Sequence, residues 1–122
     1  MFEVTIIKSF SAAHLLAEIG GKCEELHGHN FKVEVTVGAS KLTAEGILID
    51  FRLVKKWLNN ILDEMDHQYL NELPFFAGKN PSSENIAYTV YKAMQAKVKG
   101  EAVKVLRVKV WESENAAGTY SE

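Results

Sequence analysis

His29-Asn30-Phe31-Lys32-Val33-Glu34-Val35-Thr36-Val37 alternates without a break. Odd positions carry an imidazole or an apolar side chain, and even positions carry polar ones. A period of two puts the odd set on one face of a β-strand and the even set on the other. The stretch therefore predicts a half-buried antiparallel strand that aims His29 at its apolar side. His27 shares that parity, and Gly28 between the two histidines allows a close approach without adding a side chain.

Upstream, residues 2–13 read as a second strand. Phe2, Val4 and Ile6 alternate with Glu3 and Thr5, and Phe10, Ala12 and His14 keep the same parity. His14 ends the apolar face, where a buried imidazole needs a partner. Residues 15–28 read as a loop broken at Gly20-Gly21, and this loop carries Cys23, the only cysteine. Two imidazoles facing one point make a metal-ligand pair, and a third ligand leaves a fourth position open for substrate, the layout of catalytic zinc sites. An isolated His-x-His pair is equally compatible with solvated rings, and His14 alone with a satisfied core histidine. His67, which follows an acid in Met65-Asp66-His67-Gln68, gives all four histidines and the thiol a place in one site.

Downstream, Asp50 predicts the N-cap of a helix that starts at Phe51. Val54, Trp57, Leu58, Ile61 and Met65 recur at helical spacing, and the helix is expected to end near Asp66-His67. Pro74 and Gly78-Lys79-Asn80-Pro81 mark a connection. Ser82 or Ser83 then caps a second helix, with Ile86, Val90, Ala93, Ala87, Tyr91 and Met94 on a broad apolar face and Gly100 at its close. Val103 to Trp111 reads as a strand with Leu106, Val108 and Val110 on one face. Glu112 continues that parity, and a carboxylate there is costly unless it meets a cation or a set of donors. A structural ion pair accounts for it as well as a functional role does. Asn115 to Gly118 predicts a turn before a short strand at Thr119-Tyr120.

The order is β-β-α-α-β-β, an α+β fold whose antiparallel sheet carries two helices on one face. Four strands leave two open edges, which predicts pairing between subunits. At 122 residues the chain is expected to form one domain, residues 1–122. A net charge of −2 argues against nucleic acid or an anionic membrane as the main partner. Met1-Phe2-Glu3 opens directly on a strand pattern without a leader, one cysteine forms no internal disulfide, and no apolar run is long enough to span a bilayer. These features predict a cytoplasmic protein.

Six stretches taken together resemble the 6-pyruvoyl-tetrahydropterin synthase superfamily, most closely its 6-carboxy-tetrahydropterin synthase branch. They are Phe10-Ser11-Ala12-Ala13-His14, Cys23 to Asn30 with its His27-Gly28-His29 core, Ile49-Asp50-Phe51, Met65 to Asn71, Asn80 to Asn85, and Trp111-Glu112-Ser113. The resemblance spans essentially the whole length. It implies the tunnelling fold (T-fold), in which trimeric rings close a barrel, two rings stack as a homohexamer, and active sites lie between subunits.

It also implies a zinc-dependent lyase acting on 7,8-dihydroneopterin triphosphate, in queuosine-type deazapurine biosynthesis. By resemblance His14, His27 and His29 bind the zinc, and Cys23 is the base. Asp66 and His67 shuttle a proton, and Glu112 accepts from the pterin and joins the relay. Ser82, Ser83 and Glu84 hold the pterin. The three residues between Cys23 and His27 resemble the carboxy branch, which breaks a carbon–carbon bond. The alternatives are the pyruvoyl enzyme, which eliminates triphosphate from the same substrate, and a non-catalytic pterin-binding homologue.

Overall fold

The alternation of residues 29–37 is realised as strand β2, His27–Ala39, at the centre of a four-stranded antiparallel sheet of order β1-β2-β3-β4. Its partners are β1, Phe2–His14, and β3, Lys104–Ser113, with β4, Ala116–Tyr120, outside β3. The computed structural model describes residues 1–18, 21 and 25–122. Phe31, Val33, Val35 and Val37 are fully buried. They face helices α1, Phe51–Leu62, and α2, Ser83–Lys97, which cover one side of the sheet. α1 lies against β1 and α2 against β3 and β4. Each fully buried side chain of this size contributes roughly 1.5–3 kcal/mol, so the alternating strand is a main source of the fold's stability.

Both helix starts follow their caps. The Asp50 carboxylate accepts from the Arg52 N–H at 2.8 Å and also binds the Arg52 guanidinium. The Ser82 hydroxyl accepts from the Asn85 N–H at 3.1 Å. α1 stops at Leu62, short of the expected end near Asp66-His67: the Glu64 and Met65 N–H groups bond only three residues back, to Ile61 and Leu62, and His67 adopts a left-handed φ of 58°. Its N–H leaves the helical ladder and donates to the Ser11 carbonyl at 2.6 Å. Gln68 accepts from the Ala13 N–H, and Tyr69 bridges Ala13 in parallel, so residues 66–69 cover the last part of the β1 edge. Among the described residues no strand pairs with the outer edge of β1 or of β4.

Three further expectations are corrected. The register between β2 and β3 shifts after Thr36, so that Thr36 meets Arg107 and Val37 meets Val105. Leu106 is the extra residue of this bulge, and parity changes across it. Val105 therefore joins Val108 and Val110 in the core, while Leu106 turns to the other side and packs where a Cβ on Gly38 would stand, 2.6 Å from its Cδ1. The turn expected at Asn115–Gly118 is instead Glu114–Asn115, and Gly118 lies inside β4. A Cβ there would meet the Glu84 backbone N at 2.9 Å, so the strand approaches the start of α2 as only glycine permits. The loop before β2 is also shorter than expected: His27 and Gly28 already pair with His14 and Ala13.

Candidate metal centre and active site

Register, more than any single motif, assembles the site. His14 lies directly opposite His27, and Ala12 opposite His29, so the core-facing parities of β1 and β2 bring three imidazoles to the same end of the sheet. The ring centroids of His14 and His27 are 4.4 Å apart, those of His27 and His29 4.7 Å, and those of His14 and His29 5.3 Å. β3 adds Glu112, whose Oε1 lies 2.8 Å from His14 Nε2, 3.3 Å from His29 Nε2 and 3.9 Å from His27 Nε2. One atom from each of the four residues falls within 4.8 Å of all the others.

The tautomers are set by the backbone. His14 donates from Nδ1 to the Pro81 carbonyl at 2.8 Å, and His27 donates from Nδ1 to the Glu25 carbonyl at 2.7 Å. Each bond leaves Nε2 with its lone pair turned into the cluster. A carbonyl partner on the far ring nitrogen is the usual support of a metal-ligating imidazole. His14 is 0% exposed, and its Nε2 has no hydrogen-bond partner although Glu112 Oε1 is close. A neutral imidazole lone pair facing a carboxylate oxygen is repulsive, so a cation between them resolves the contact. Burial, the largest influence, pulls His29 below the ordinary imidazole range; Glu112 opposes this, and His27 and His14 add to it. Three neutral imidazoles and one carboxylate fit a divalent transition metal such as zinc.

Asp66 and His67 form a separate pair. Asp66 Oδ2 receives His67 Nδ1 at 3.0 Å, and Asp66 Oδ1 accepts the Ser11 N–H at 2.9 Å. The Ser11 N–H, followed by the His67 ring, holds the Asp66 carboxyl below the usual carboxylate range. The His67 side chain is 81% exposed. Among the described residues, no hydrogen bond or ion pair joins it to the three clustered histidines. It lines a cleft of about 560 Å³ with Ser11, Asn30, Gln68, Tyr69 and His29.

The Ser82–Glu84 segment does not enter the histidine cluster. Ser82 caps α2, Ser83 is buried and Glu84 is exposed. Among the described residues the backbone reaches the centre at the preceding Pro81, whose carbonyl orients His14. Cys23 lies outside the described residues. Reading the sequence missed the Pro81 and Glu25 carbonyls, which no pattern could reveal because every residue carries one. It also separated Glu112 from the histidines, although the shared core-facing parity of Glu112 and His29 was a usable signal.

A family model described as 6-pyruvoyl tetrahydropterin synthase matches residues 3–122. A putative 6-carboxy-5,6,7,8-tetrahydropterin synthase from Archaeoglobus fulgidus is 38% identical over 114 residues, covering 92% of this chain and 89% of that one. A dihydroneopterin monophosphate aldolase from Pyrococcus furiosus is 36% identical over 104 residues, covering 85% and 83%. Among solved structures, 6-pyruvoyl tetrahydropterin synthase from Caenorhabditis elegans superposes with a TM-score of 0.86 at 27% identity, covering 99% of this chain and 95% of that one.

Proposed function

The chain belongs to the 6-pyruvoyl tetrahydropterin synthase family and has its T-fold, and from that premise we propose a zinc-dependent 6-carboxy-5,6,7,8-tetrahydropterin synthase. Its substrate is 7,8-dihydroneopterin triphosphate, and its place is in queuosine-type 7-deazapurine biosynthesis in the cytoplasm. The reading is supported by the similarity to the Archaeoglobus protein and, above all, by the buried His14 Nε2 among His27, His29 and Glu112.

His14, His27 and His29 hold the zinc. When bound, zinc supplies Lewis-acid charge to substrate oxygens beside it, which favours loss of a hydroxyl proton. Cys23 takes that proton as thiolate. His67, oriented by Asp66, returns a proton on the other side. The bond between the two hydroxyl-bearing carbons breaks in retro-aldol fashion. One water is consumed and the retained carbon ends as a carboxylate; the electrons it loses are taken up by the dihydropterin ring, which becomes tetrahydro, and by the two-carbon fragment, which sheds triphosphate and leaves as acetaldehyde.

Glu112 meets the histidines through Oε1, which leaves Oε2 to accept from the pterin amino and ring N–H groups. The segment Ser82, Ser83 and Glu84, anchored by its cap, holds the pterin from α2. The unpaired edges of β1 and β4 are joined in a homohexamer with active sites between subunits. Glu112→Gln is expected to weaken pterin binding by about 1–3 kcal/mol, the loss of a charge-assisted hydrogen bond, in a titration with dihydroneopterin. Normal affinity with a lower melting temperature would mark Glu112 as a structural ion pair instead.

The Pyrococcus relative favours one second reading, simple aldol cleavage of a monophosphate. The discriminating molecule is the released aldehyde, trapped with a hydrazine during turnover of dihydroneopterin triphosphate. Acetaldehyde with free triphosphate is expected. An aldehyde that still carries phosphate would favour the aldolase. Triphosphate without aldehyde, and a three-carbon side chain on the pterin, would favour the pyruvoyl synthase.

A further inference from the structure

We infer that Asn71 and Asn80, with Asn85 behind them, are positioning residues that fix where His14 meets the metal, an inference that rests on the metal reading of the cluster proposed above. His14 is the last residue of β1, and its pairing with His27 is the last rung between β1 and β2. The chain beyond it is held by side-chain amides instead. Asn71 Oδ1 accepts the Leu15 N–H and Asn71 Nδ2 donates to the Leu15 carbonyl, both at 3.0 Å. Asn80 treats Ala17 in the same way, with Oδ1 accepting the N–H and Nδ2 donating to the carbonyl, both at 2.9 Å.

A primary amide on a short stem suits this task. It offers the donor and the acceptor that a neighbouring strand would offer, so each asparagine replaces a missing ladder partner. Asn71 stands in a short 3-10 turn, Leu70–Glu72, whose Leu70 is fully buried in the core. It extends the hydrogen bonds by which residues 66–68 follow the edge of β1. Asn80 stands immediately before Pro81, the residue whose carbonyl receives His14 Nδ1. Glu18, directly after the second clamp, has a left-handed φ of 67°, a conformation that a non-glycine residue keeps where its surroundings hold it.

Proline has no N–H with which to anchor itself, so its neighbours place the Pro81 carbonyl. The Asn80 carbonyl accepts from Asn85 Nδ2 at 2.7 Å, the Asn80 side chain holds Ala17, and Ser82 caps α2. Both ends of the His14–Pro81 hydrogen bond are therefore tied down, the imidazole's backbone through Leu15 and the carbonyl through Asn80. His14 is fully buried, and that bond on Nδ1 aims its Nε2 into the cluster. Disturbing such an outer support of an imidazole ligand typically lowers metal affinity by about 10–100-fold. The asparagines stand one step further out and are uncharged, so their effect on a cation passes through the placement of His14.

The test compares the full-length wild type, stripped of metal, with Asn71→Ala, Asn80→Ala and Asn85→Ala. Zinc affinity is read by competition with a chromophoric chelator, and coordination geometry by the ligand-field spectrum of the cobalt(II) form. Zinc affinity is expected to fall about tenfold or more in Asn71→Ala and Asn80→Ala, with a changed cobalt spectrum. A smaller loss in the same direction is expected in Asn85→Ala, which removes one outer bond and keeps the test valid where the other two variants misfold. Ile6→Val, a core change at the far end of β1, is expected to lower the melting temperature and leave both metal readouts unchanged. Wild-type affinity and spectrum in the asparagine variants that fold overturn the proposal. So does an equal loss of affinity in Ile6→Val, which would trace the effect to stability alone. A wild type that binds neither zinc nor cobalt refutes the metal reading and the inference with it, whereas a wild type that binds both while the variants match it refutes the inference alone.

Discussion

His14→Ala is expected to leave the protein without zinc and without turnover, and to lower its stability as well. The wild type is expected to hold one zinc per chain by inductively coupled plasma mass spectrometry. The two losses have different causes. His14 is fully buried and donates to the Pro81 carbonyl at the start of α2, so removing its ring orphans that acceptor, at a cost of about 1–3 kcal/mol. The metal stabilises the folded state separately by mass action, about 2.7 kcal/mol at a hundredfold excess over Kd. His27 separates the two contributions. It is partly exposed and its carbonyl partner, Glu25, is exposed to water, so His27→Ala should lose the zinc at little further cost to the apoprotein. Urea unfolding with and without chelator reads both terms. Stoichiometric zinc retained in both variants would remove these residues as ligands.

The parts of this centre that were legible in the sequence are those governed by period two. Once residues 29–37 are read as a strand, His27 and His29 must face the core. The parity of Phe10 and Ala12 sends His14 to the same side, and β-pairing places it opposite His27. Glu112 was legible as a core-facing acid, because the parity from Val108 onward is unbroken until the strand's last residues. What could not be read depends on contacts between distant segments. The bulge at Leu106 exchanges which of two adjacent apolar residues is buried, and both Val105 and Leu106 satisfy the pattern. The segment after α1 is placed by the Ser11 carbonyl, 56 positions before His67, which captures the His67 N–H and keeps residues 66–69 on the β1 edge. Gly118 reads as a turn residue by composition. Its reason is instead the approach of Glu84.

His67→Gln is expected to lower turnover by roughly 10²–10⁴-fold, the usual contribution of a positioned acid or base, with zinc content and stability little changed. The imidazole is exposed and buries no apolar surface, so removing it costs the fold almost nothing. Its partner behaves differently. Asp66 accepts the Ser11 N–H and so fastens residues 66–69 to β1. Asp66→Asn should therefore reduce both turnover and stability. The folded-state carboxyl is held below its ordinary value, so the stability it contributes is present above about pH 3.9 and lost as pH falls through the lowered folded value. Acid unfolding followed by circular dichroism should accordingly show a smaller pH dependence below pH 4 in Asp66→Asn. A second readout tests the shared site. Among the described residues no hydrogen bond or ion pair joins His67 to the clustered histidines, and in the proposed assembly a neighbour supplies them. Mixing inactive His67→Gln with inactive His27→Ala under conditions that exchange subunits should then restore part of the activity. Wild-type turnover in His67→Gln would remove it from the chemistry, and no recovery on mixing would place both residues in one subunit's site.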